Sequence, residues 1–425
     1  MTVDRTPIYN VITHCRICDS SDLTDLFTFG DQFLATAFVR SNTEHPLAGI
    51  KVPLSVSLCR SCGLVQLKES VRRDLLFHDY FYRSSTNPMM RRALNEVADD
   101  LSSHAALNKG DFVLDVGCND GTMLGFFDPR TVRIGIEPAR NIDWSGVDRS
   151  IHIVNDFFSK EVALRASGGQ LYKGISSVAM LYSVEDVNAF AAQIRELLAP
   201  DGVWCIQVSY LRSMLDTLSF YDICHEHLYY FTLGTLSRVL ERHSLEIFDA
   251  STNDVNGGSL RLFATHQNGA KQKTNRLRNL TDTEGKQNLD SPETYTEFFS
   301  RVKAARETVC DYIRNEKAHG RMVVGLGAST KGNVLLQFFG LDRNLLPYIS
   351  ERNPDKVSLR TLGTDIELIS EASARALSPG CMLVLIWFFK DEILKRERSY
   401  LEQGGKLLFP MPYPHLVTKD GERRL

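Results

Sequence analysis

Two cysteine pairs constrain the fold of this chain more than any other feature of its sequence. They are Cys15-x-x-Cys18 and Cys59-x-x-Cys62, and the second pair is followed by Gly63. Two thiolates three positions apart can face one ion from a tight turn, and two such pairs complete a tetrahedral zinc site. Forty residues separate the pairs, more than in simple zinc ribbons, so reduced thiols without metal are the alternative. We expect structural zinc without a catalytic role, because four thiolates leave no open coordination position.

The bulk properties are those of an ordinary globular protein with several domains. A length of 425 residues predicts about three domains. The net charge of -3 gives no electrostatic reason to expect nucleic acid or an anionic membrane as a partner. No apolar run approaches the roughly 18 residues that span a bilayer, and the N-terminus lacks the apolar stretch of a secretory signal. We therefore expect a cytoplasmic protein without a membrane partner, and we take a monomer as the expected state.

Strands and helices alternate in two separate series, which predicts the α/β class with largely parallel sheets. Strands are expected at 113–116, 132–137, 177–181 and 203–208 in the first series, and near 347–349 and 382–386 in the second. The polar stretch 268–291 is interpreted as a linker or the start of an exposed helix, and 291–316 as one long helix.

A glycine-rich turn, Gly117-Cys118-Asn119-Asp120-Gly121, follows the first predicted strand of the first series. We expect the turn to open a helix, so that backbone N–H groups can approach a ligand. Glu137 ends the next strand, where a carboxylate can accept hydrogen bonds from both ribose hydroxyls, and Asp156 follows the third strand, within possible reach of an adenine amino group. The pattern indicates a nucleoside site, although Glu137 as a simple helix cap is the alternative. Only part of the GxGxxG spacing is present, which makes a nicotinamide dinucleotide the weaker interpretation.

Two histidines flank a glutamate in His225-Glu226-His227. A zinc-binding HExxH helix would need histidine at position 229, where the chain has Tyr229. A general base fits better, since imidazole titrates near neutral pH and a neighbouring carboxylate can orient it. The alternative is a packed histidine pair between domains.

A second glycine-rich turn, Gly325-x-Gly327, runs into Ser329, Lys331 and Asn333. Backbone N–H groups and a lysine suit a phosphate or diphosphate. The GxxxxGK[ST] pattern of a Walker A loop is absent, and a purely structural strand–helix turn is the alternative.

In this order the motifs resemble the sugar C-methyltransferase family. Residues 80–87, which include Tyr82, look like its aromatic segment over the cofactor, and 117–122 resemble its G-S-N-D-G-T. Residues 256–261, which begin with Asn256, resemble H-G-G-S-x-R, and 351–356, with Glu351 and Asn353, resemble D-x-N-P-x-K. The resemblance implies a small zinc-binding N-terminal domain (1–70), a central class I, Rossmann-like methyltransferase domain that binds S-adenosylmethionine (71–267), and a Rossmann-like C-terminal domain that binds a sugar nucleotide (268–425).

The resemblance also implies roles for particular residues. His227 matches the second histidine of the family's Y-H-E-H segment and is expected to be the general base, whereas Cys224 replaces the family's tyrosine. The family's A-H-V-P and P-G-T segments differ here as well. The expected catalytic set is His227, His225, Glu226 and Tyr229. The expected cofactor set is Tyr82, Gly117, Asn119, Asp120, Glu137 and Asp156. The expected substrate set is Asn256, Ser329, Lys331, Asn333, Glu351 and Asn353.

The implied reaction is methylation of C-3' of a nucleotide-linked 4-keto-6-deoxy sugar through an enolate. The donor that stabilises the enolate oxygen is left open between Tyr229, Tyr230 and a backbone N–H. An NAD-dependent nucleotide-sugar epimerase or dehydrogenase is the rival enzyme, and a zinc-ribbon scaffold protein is the rival without catalysis.

Overall fold

The computed structural model of the chain describes residues 7–43, 47, 49–77 and 82–425, and it is of the predicted α/β class. Its N-terminal part is mainly antiparallel, with β2 paired to β4 and β4 paired to β5. The elements are β1 (Tyr9–Val11), β2 (Leu23–Phe33), β3 (Phe38–Val39), β4 (Lys51–Cys59), β5 (Val65–Leu67), β6 (Glu69–Val71) and α1 (Arg73–Phe77).

The central part is built on a seven-stranded sheet in the order β13-β14-β11-β10-β7-β8-β9. Strands β11, β10, β7, β8 and β9 are parallel, and β14 and β13 complete one edge as an antiparallel hairpin. The elements are α2 (Pro88–Ala105), β7 (Phe112–Val116), β8 (Val132–Ile136), β9 (Ile151–Val154), α3 (Lys160–Ala166), β10 (Tyr172–Val178), α4 (Val187–Leu197), β11 (Leu198–Ser209), α5 (Leu211–Asp216), β12 (Tyr229–Tyr230), α6 (Leu233–Arg242), β13 (Leu245–Asn253) and β14 (Ser259–His266).

The C-terminal part contains a second largely parallel sheet, ordered β22-β21-β20-β19-β15-β16-β18-β17-β3. The elements are α7 (Asn275–Glu284), α8 (Pro292–Ala318), β15 (Val323–Leu326), α9 (Thr330–Phe339), β16 (Tyr348–Glu351), β17 (Arg360–Thr361), β18 (Glu367–Ser370), α10 (Glu371–Ala376), β19 (Cys381–Val384), α11 (Lys390–Arg396), α12 (Arg398–Glu402), β20 (Leu407–Phe409), β21 (His415–Thr418) and β22 (Gly421–Arg424).

Both parallel sheets reverse their strand order beside their first strand. In the central sheet β7 lies between β8 and β10, and in the C-terminal sheet β15 lies between β16 and β19. In open α/β sheets a ligand binds outside the carboxyl ends of the strands at such a reversal. The topology therefore places one candidate ligand edge in each sheet.

The three parts of the chain exchange short strands. β12 pairs with β5 of the N-terminal sheet, and β3 pairs with β17 at the edge of the C-terminal sheet. The backbone carbonyls of Val52 and Pro53 on β4 both lie 3.2 Å from Nε2 of buried His225. The segment 220–231 is thereby enclosed between the parts. The domain bounds 1–70, 71–267 and 268–425 remain predictions.

Two local predictions differ from the structure. The turn at Gly117 leads into a short 3-10 helix, Leu124–Phe126, instead of an α-helix, because Gly121 adopts a positive φ of 75° and Asp120 accepts a hydrogen bond from the backbone N–H of Thr122. The strand expected at 177–181 ends at Val178 and begins earlier, at Tyr172.

The stretch 268–291, interpreted as a linker or the start of an exposed helix, contains the helix α7. Thr274 caps its first turn, and Leu277 is its buried contact. Glu284 at its end accepts hydrogen bonds from the backbone N–H groups of Leu233 and Gly234 at the start of α6. A mostly polar helix is therefore stabilised by capping interactions that its sequence pattern does not reveal. No helix among the described residues is long and apolar enough to cross a membrane.

The burial of His225 predicts a pH dependence of stability. Burial lowers the pKa of His225 from 6.5 to about 4, so the unfolded chain binds a proton more readily than the folded one. Folding stability conferred by the neutral ring should fall as pH drops from about 6.5 toward 4. Relative to His225→Gln, the wild type should lose about 2 kcal/mol of unfolding free energy between pH 7.5 and 5 in urea titrations. Parallel pH profiles of the two proteins would contradict this prediction.

Candidate active site

The four predicted cysteine ligands form one cluster at the end of β4. Their sulfur atoms all lie within 4.8 Å of one another. The Sγ atoms of Cys15 and Cys62 are 3.5 Å apart, as are those of Cys18 and Cys59. Four sulfurs about 2.3 Å from a tetrahedral zinc would be separated by roughly 3.8 Å, so this cluster fits the metal. Gly63 has a positive φ of 77°, which allows the second turn to fold back under its cysteines.

Glu137 lies at the carboxyl edge of the central sheet, directly after β8. Its two carboxylate oxygens accept hydrogen bonds from the backbone N–H groups of Asn119 (2.8 Å) and Ala139 (2.9 Å). Burial raises the pKa of Glu137, and these hydrogen bonds oppose the rise. Each oxygen keeps a further lone pair that can accept a ribose hydroxyl. The predicted ribose-binding carboxylate is therefore held in place by the glycine-rich turn.

The turn itself is narrow at Gly117. This residue has φ 75°, and a Cβ there would lie 3.2 Å from Cγ of Met180. The next residues are covered by the segment after Tyr82: the side chain of Asn119 accepts a hydrogen bond from the N–H of Ser84, and that of Asp120 accepts one from the N–H of Ser85. The predicted cofactor residues Gly117, Asn119 and Asp120 thus form one surface.

The remaining two predicted cofactor residues are exposed to solvent. Tyr82 is 42% exposed, and its carbonyl accepts a hydrogen bond from the Asn119 amide at 3.2 Å. Residues 80 and 81 of the predicted aromatic segment lie outside the described residues. Asp156 is exposed just beyond β9 and accepts a hydrogen bond from the N–H of Phe157. Both are therefore open to a ligand at this edge.

A carboxyl group that the sequence analysis did not select also contributes to this edge. Asp115 in β7 is buried and accepts a hydrogen bond from the hydroxyl of Ser176 at 2.9 Å. Burial raises its pKa to about 7, and the nearby Glu137 charge adds to this rise. A ligand that carries positive charge would relieve the repulsion among these acids. Asp115 was not selected from the sequence, because an aspartate inside an apolar strand belongs to no recognisable motif.

The two histidines of the His225-Glu226-His227 segment face different surroundings. His225 points to β4, and because carbonyl oxygens only accept, its Nε2 carries the proton. Glu226 is buried, and neither carboxylate oxygen has a partner of normal hydrogen-bond geometry among the described residues. Burial raises the pKa of Glu226, an effect opposed by the neighbouring Cys224 and Thr36.

His227 borders a small cavity of about 10 Å³, which has room for about one water-sized group. Its Nδ1 lies 2.7 Å from the backbone carbonyl of Asp222, so Nδ1 carries the proton and Nε2 presents a lone pair. Burial, with the charge of Lys331, lowers the pKa of His227 to about 3 and keeps the ring neutral. The residues that line the cavity are Tyr182, Ser209, Tyr210, Leu211, Met214, Asp222, His227, Tyr229 and Tyr230.

The segment after β10 connects this cavity to the cofactor edge. Met180 packs against Gly117, while the ring of Tyr182 lies 4.1 Å from that of His227, centroid to centroid. The carbonyl of Tyr182 also accepts a hydrogen bond from the N–H of Leu228 at 2.7 Å. One short segment therefore contacts both the glycine-rich turn and the predicted base.

Lys331, from the C-terminal part, contacts Asp222, which lines the same cavity. Its ammonium forms an ion pair with buried Asp222, donates a hydrogen bond to the carbonyl of Asn256 at 3.2 Å, and lies 5.4 Å from the centre of the Phe388 ring. The structure thus brings together two predicted substrate residues, Asn256 and Lys331, beside His227. Asp222 was missed by the sequence analysis, because a lone aspartate in an aromatic stretch has no distinguishing pattern.

The other predicted substrate residues lie along the carboxyl edge of the C-terminal sheet. Glu351 ends β16 and accepts hydrogen bonds from the N–H groups of Ala328 (2.9 Å) and Asn353 (2.7 Å). Ser329 caps α9 by accepting from the N–H of Gly332. Asn333, one turn further, donates to the carbonyl of Ala35, and its own amide oxygen is buried without a partner among the described residues.

The two glycine-rich turns have the same hydrogen-bond pattern. In both, the glycine N–H donates to the carbonyl of the residue before the acid: Gly117 to Ile136 at 2.8 Å and Gly327 to Ser350 at 2.9 Å. In both, the acid then accepts from one N–H of the turn and from the N–H two residues beyond itself. The C-terminal edge therefore reproduces the hydrogen-bond geometry of the glycine-rich edge of the central sheet.

Comparison with known proteins covers nearly the whole chain. Residues 15–77 match a zinc binding domain, 89–249 a methyltransferase domain, and 254–412 the C-methyltransferase C-terminal domain. The C-methyltransferase NovU of Streptomyces niveus is 31% identical over 421 residues, which cover 97% of this chain and 99% of NovU.

Solved structures overlap only with part of the chain. The plantazolicin methyltransferase BpumL, solved with SAH, is 14% identical, with a TM-score of 0.34 over 43% of this chain and 87% of its own. A Burkholderia thailandensis 1,6-didemethyltoxoflavin-N1-methyltransferase is 16% identical, with a TM-score of 0.33 over 42% of this chain and 80% of its own.

The family matches favour methyl transfer over the nicotinamide-dependent alternative and over a scaffold without catalysis. They also agree with the four-thiolate cluster at the N-terminus and with the glycine-rich edge of the central sheet. The chain belongs to the C-methyltransferase family that includes NovU, as an S-adenosylmethionine-dependent enzyme with a zinc-binding N-terminal domain.

Proposed function

We propose that the chain methylates C-3' of a nucleotide-linked 4-keto-6-deoxy sugar, as the resemblance of its motifs implies. The observation that carries this proposal is the repeated hydrogen-bond pattern at Glu137 and Glu351. One such edge suits the nucleoside of the cofactor, and the second suits the nucleoside of a substrate. The segment that contacts the first edge also borders the cavity around His227. Lys331, which follows the glycine-rich turn of the second edge, forms an ion pair with Asp222 in the cavity wall.

S-adenosylmethionine supplies an electrophilic methyl group when it is bound. For the cofactor, Glu137 would hold the ribose hydroxyls and the Gly117 turn would lie against the nucleoside. Tyr82 and Asp156 border the same edge and are proposed to contact the cofactor as well. For the substrate, Glu351, Ser329 and Asn353 are proposed to hold the nucleotide, with Asn256, Lys331 and Asn333 nearer the sugar.

His227 is proposed to remove the proton beside the ketone. Its Nε2 carries the lone pair, because Nδ1 donates to the Asp222 carbonyl, and its lowered pKa keeps the ring unprotonated at neutral pH. As the C–H bond breaks, the proton passes to Nε2 and the electron pair moves into the enolate. The negative charge that develops on the substrate favours the imidazolium formed beside it. His225 and Glu226 are proposed to fix the position of the segment that carries His227.

The zinc proposal predicts one metal ion per chain with a structural effect. Metal analysis of the purified protein should find about one zinc, and Cys62→Ser should lower both zinc content and melting temperature. Cys310→Ser, which removes a buried thiol outside the cluster, is the matched control and should retain the metal. A stable wild type without zinc, or equal zinc loss in both variants, would contradict the assignment.

Glu137 and Glu351 offer a matched pair of variants for the two nucleoside edges. Glu137→Gln should weaken S-adenosylmethionine binding by about 1.5–3 kcal/mol, the range for a lost charge-assisted hydrogen bond. Glu351→Gln should leave that affinity unchanged and weaken the sugar nucleotide instead. Calorimetry with each ligand on both variants tests the assignment, and a loss of cofactor affinity in Glu351→Gln equal to that in Glu137→Gln would refute it.

His227→Asn should retain both ligand affinities and lose methyl transfer by roughly 10²- to 10⁴-fold, the usual contribution of a positioned base. The substrate is chosen from a panel of dTDP-, GDP- and CDP-linked 4-keto-6-deoxy sugars with labelled S-adenosylmethionine. With S-adenosylhomocysteine bound, the wild type should also exchange deuterium from heavy water into the carbon beside the ketone. His227→Asn should not exchange, whereas His225→Asn should. Undiminished exchange in His227→Asn would show that another residue removes the proton.

A further inference from the structure

Two neighbouring tyrosines on β12 border the His227 cavity, and their hydroxyls have different surroundings. The Tyr229 hydroxyl donates to the carbonyl of Glu185 at 3.0 Å and accepts from the N–H of Val187 at 3.3 Å. The Tyr230 hydroxyl is buried and has no hydrogen-bond partner among the described residues. The Tyr229 hydroxyl is therefore engaged by the backbone at the start of α4, whereas the Tyr230 hydroxyl is free to bond a ligand.

A buried hydroxyl without a hydrogen-bond partner destabilises a folded protein, because it has lost its bonds to water and gained none in return. A buried hydroxyl of this kind is explained most directly by a ligand whose acceptor atom bonds to it. Buried Tyr221 also has an unpartnered hydroxyl, but it is not among the residues that line the cavity. Tyr230 therefore differs from both neighbouring tyrosines, because it is unpartnered and also lines the cavity with His227.

The chemistry of the proposed reaction requires a hydrogen-bond donor at this place. When His227 takes the proton, charge develops on the ketone oxygen, and a donor fixed in advance stabilises that charge. Burial and the charges of Asp222 and Glu226 hold the pKa of Tyr230 well above its ordinary value, so the phenol keeps its proton. The surrounding acids cannot donate while ionised, whereas a phenol can.

We infer that Tyr230 is the catalytic phenol that donates a hydrogen bond to the enolate oxygen in the His227 cavity. This inference rests on the proposed function. The C–H bond of the substrate breaks, its proton goes to Nε2 of His227, and its electron pair forms the enolate. The carbonyl π electrons move to the oxygen, which accepts the Tyr230 O–H hydrogen bond. Tyr230 keeps its proton throughout. The enolate carbon would then form its bond to the methyl group as the sulfur–methyl bond of S-adenosylmethionine breaks. That electron pair would stay on the sulfur of the departing S-adenosylhomocysteine, and the ketone would be restored.

The test compares Tyr230→Phe with Tyr221→Phe, because each change removes one buried hydroxyl without a partner. Wild type and both variants are assayed with the 4-keto sugar of the panel that the wild type methylates. Tyr230→Phe should lower kcat by roughly 10²- to 10³-fold, as removal of an oxyanion donor does, with little change in KM. Its deuterium exchange with S-adenosylhomocysteine bound should slow in parallel, and Tyr221→Phe should behave as the wild type.

Melting temperature separates this role from a structural one. Loss of a hydroxyl that has no partner in the free protein should leave the melting temperature of Tyr230→Phe equal or raised. A lowered melting temperature with a proportionate loss of activity would overturn the inference, as would a wild-type kcat in Tyr230→Phe or an equal loss in Tyr221→Phe. Failure of the wild type to methylate any 4-keto sugar of the panel would instead refute the proposed function, and this inference with it.

Discussion

The structure depends on one arrangement that occurs in both parallel sheets. A carboxylate at the end of the second strand of the sheet accepts hydrogen bonds from two backbone N–H groups. Glu137 and Glu351 each hold a glycine-rich turn against the carboxyl edge of a parallel sheet in this way. Charge-assisted hydrogen bonds of this kind are stronger than neutral ones, and both acids are buried. The shape of each edge therefore exists before any ligand arrives. The cavity around His227 is linked to the first edge by the segment from Met180 to Tyr182 and to the second by the ion pair of Lys331 with Asp222.

Between these edges lies a segment that is unusually rich in buried polar groups. Asp222, Glu226 and Tyr230 are all buried within a few residues of one another. Among the described residues, Asp222 alone of these has an ionic partner, Lys331, which comes from the C-terminal part of the chain. In the low dielectric of the protein interior, each buried polar group without a partner destabilises the fold. The segment therefore depends on its surroundings to stay in place. The ring of His225 against β4 and the pairing of β12 with β5 provide that support.

Much of this organisation could be predicted from the sequence, because periodicity and motif spacing are local signals. The cysteine pairs, the α/β class, both glycine-rich turns and the acids that follow them were all visible, and the family matches confirm the zinc-binding and methyltransferase assignments. The helix expected after Gly117 was wrong, since Gly121 and Asp120 form a tighter turn. The helix α7 was foreseen only as one of two alternatives, because part of its support comes from Glu284, which accepts backbone N–H groups of a helix fifty residues earlier in the chain.

What could not be predicted is which side chains share a cavity. Lys331 was expected at a phosphate, and the structure pairs it with Asp222 beside His227. The two tyrosines of β12 are adjacent in sequence, and only three-dimensional contacts show that one hydroxyl is engaged and the other is not. Such differences arise from tertiary packing, to which single-sequence patterns are blind.

The exchange of β3 and β12 between sheets has a consequence for how such enzymes can diversify. Each of the short strands closes the edge of a sheet that is built mostly from another part of the chain. A recombination event between the N-terminal part and the rest of the chain would disturb both pairings, and a strand edge left unpaired favours aggregation. New substrate preferences in this architecture are therefore expected to arise by point substitution around the cavity, since shuffling of whole modules would break two sheets at once.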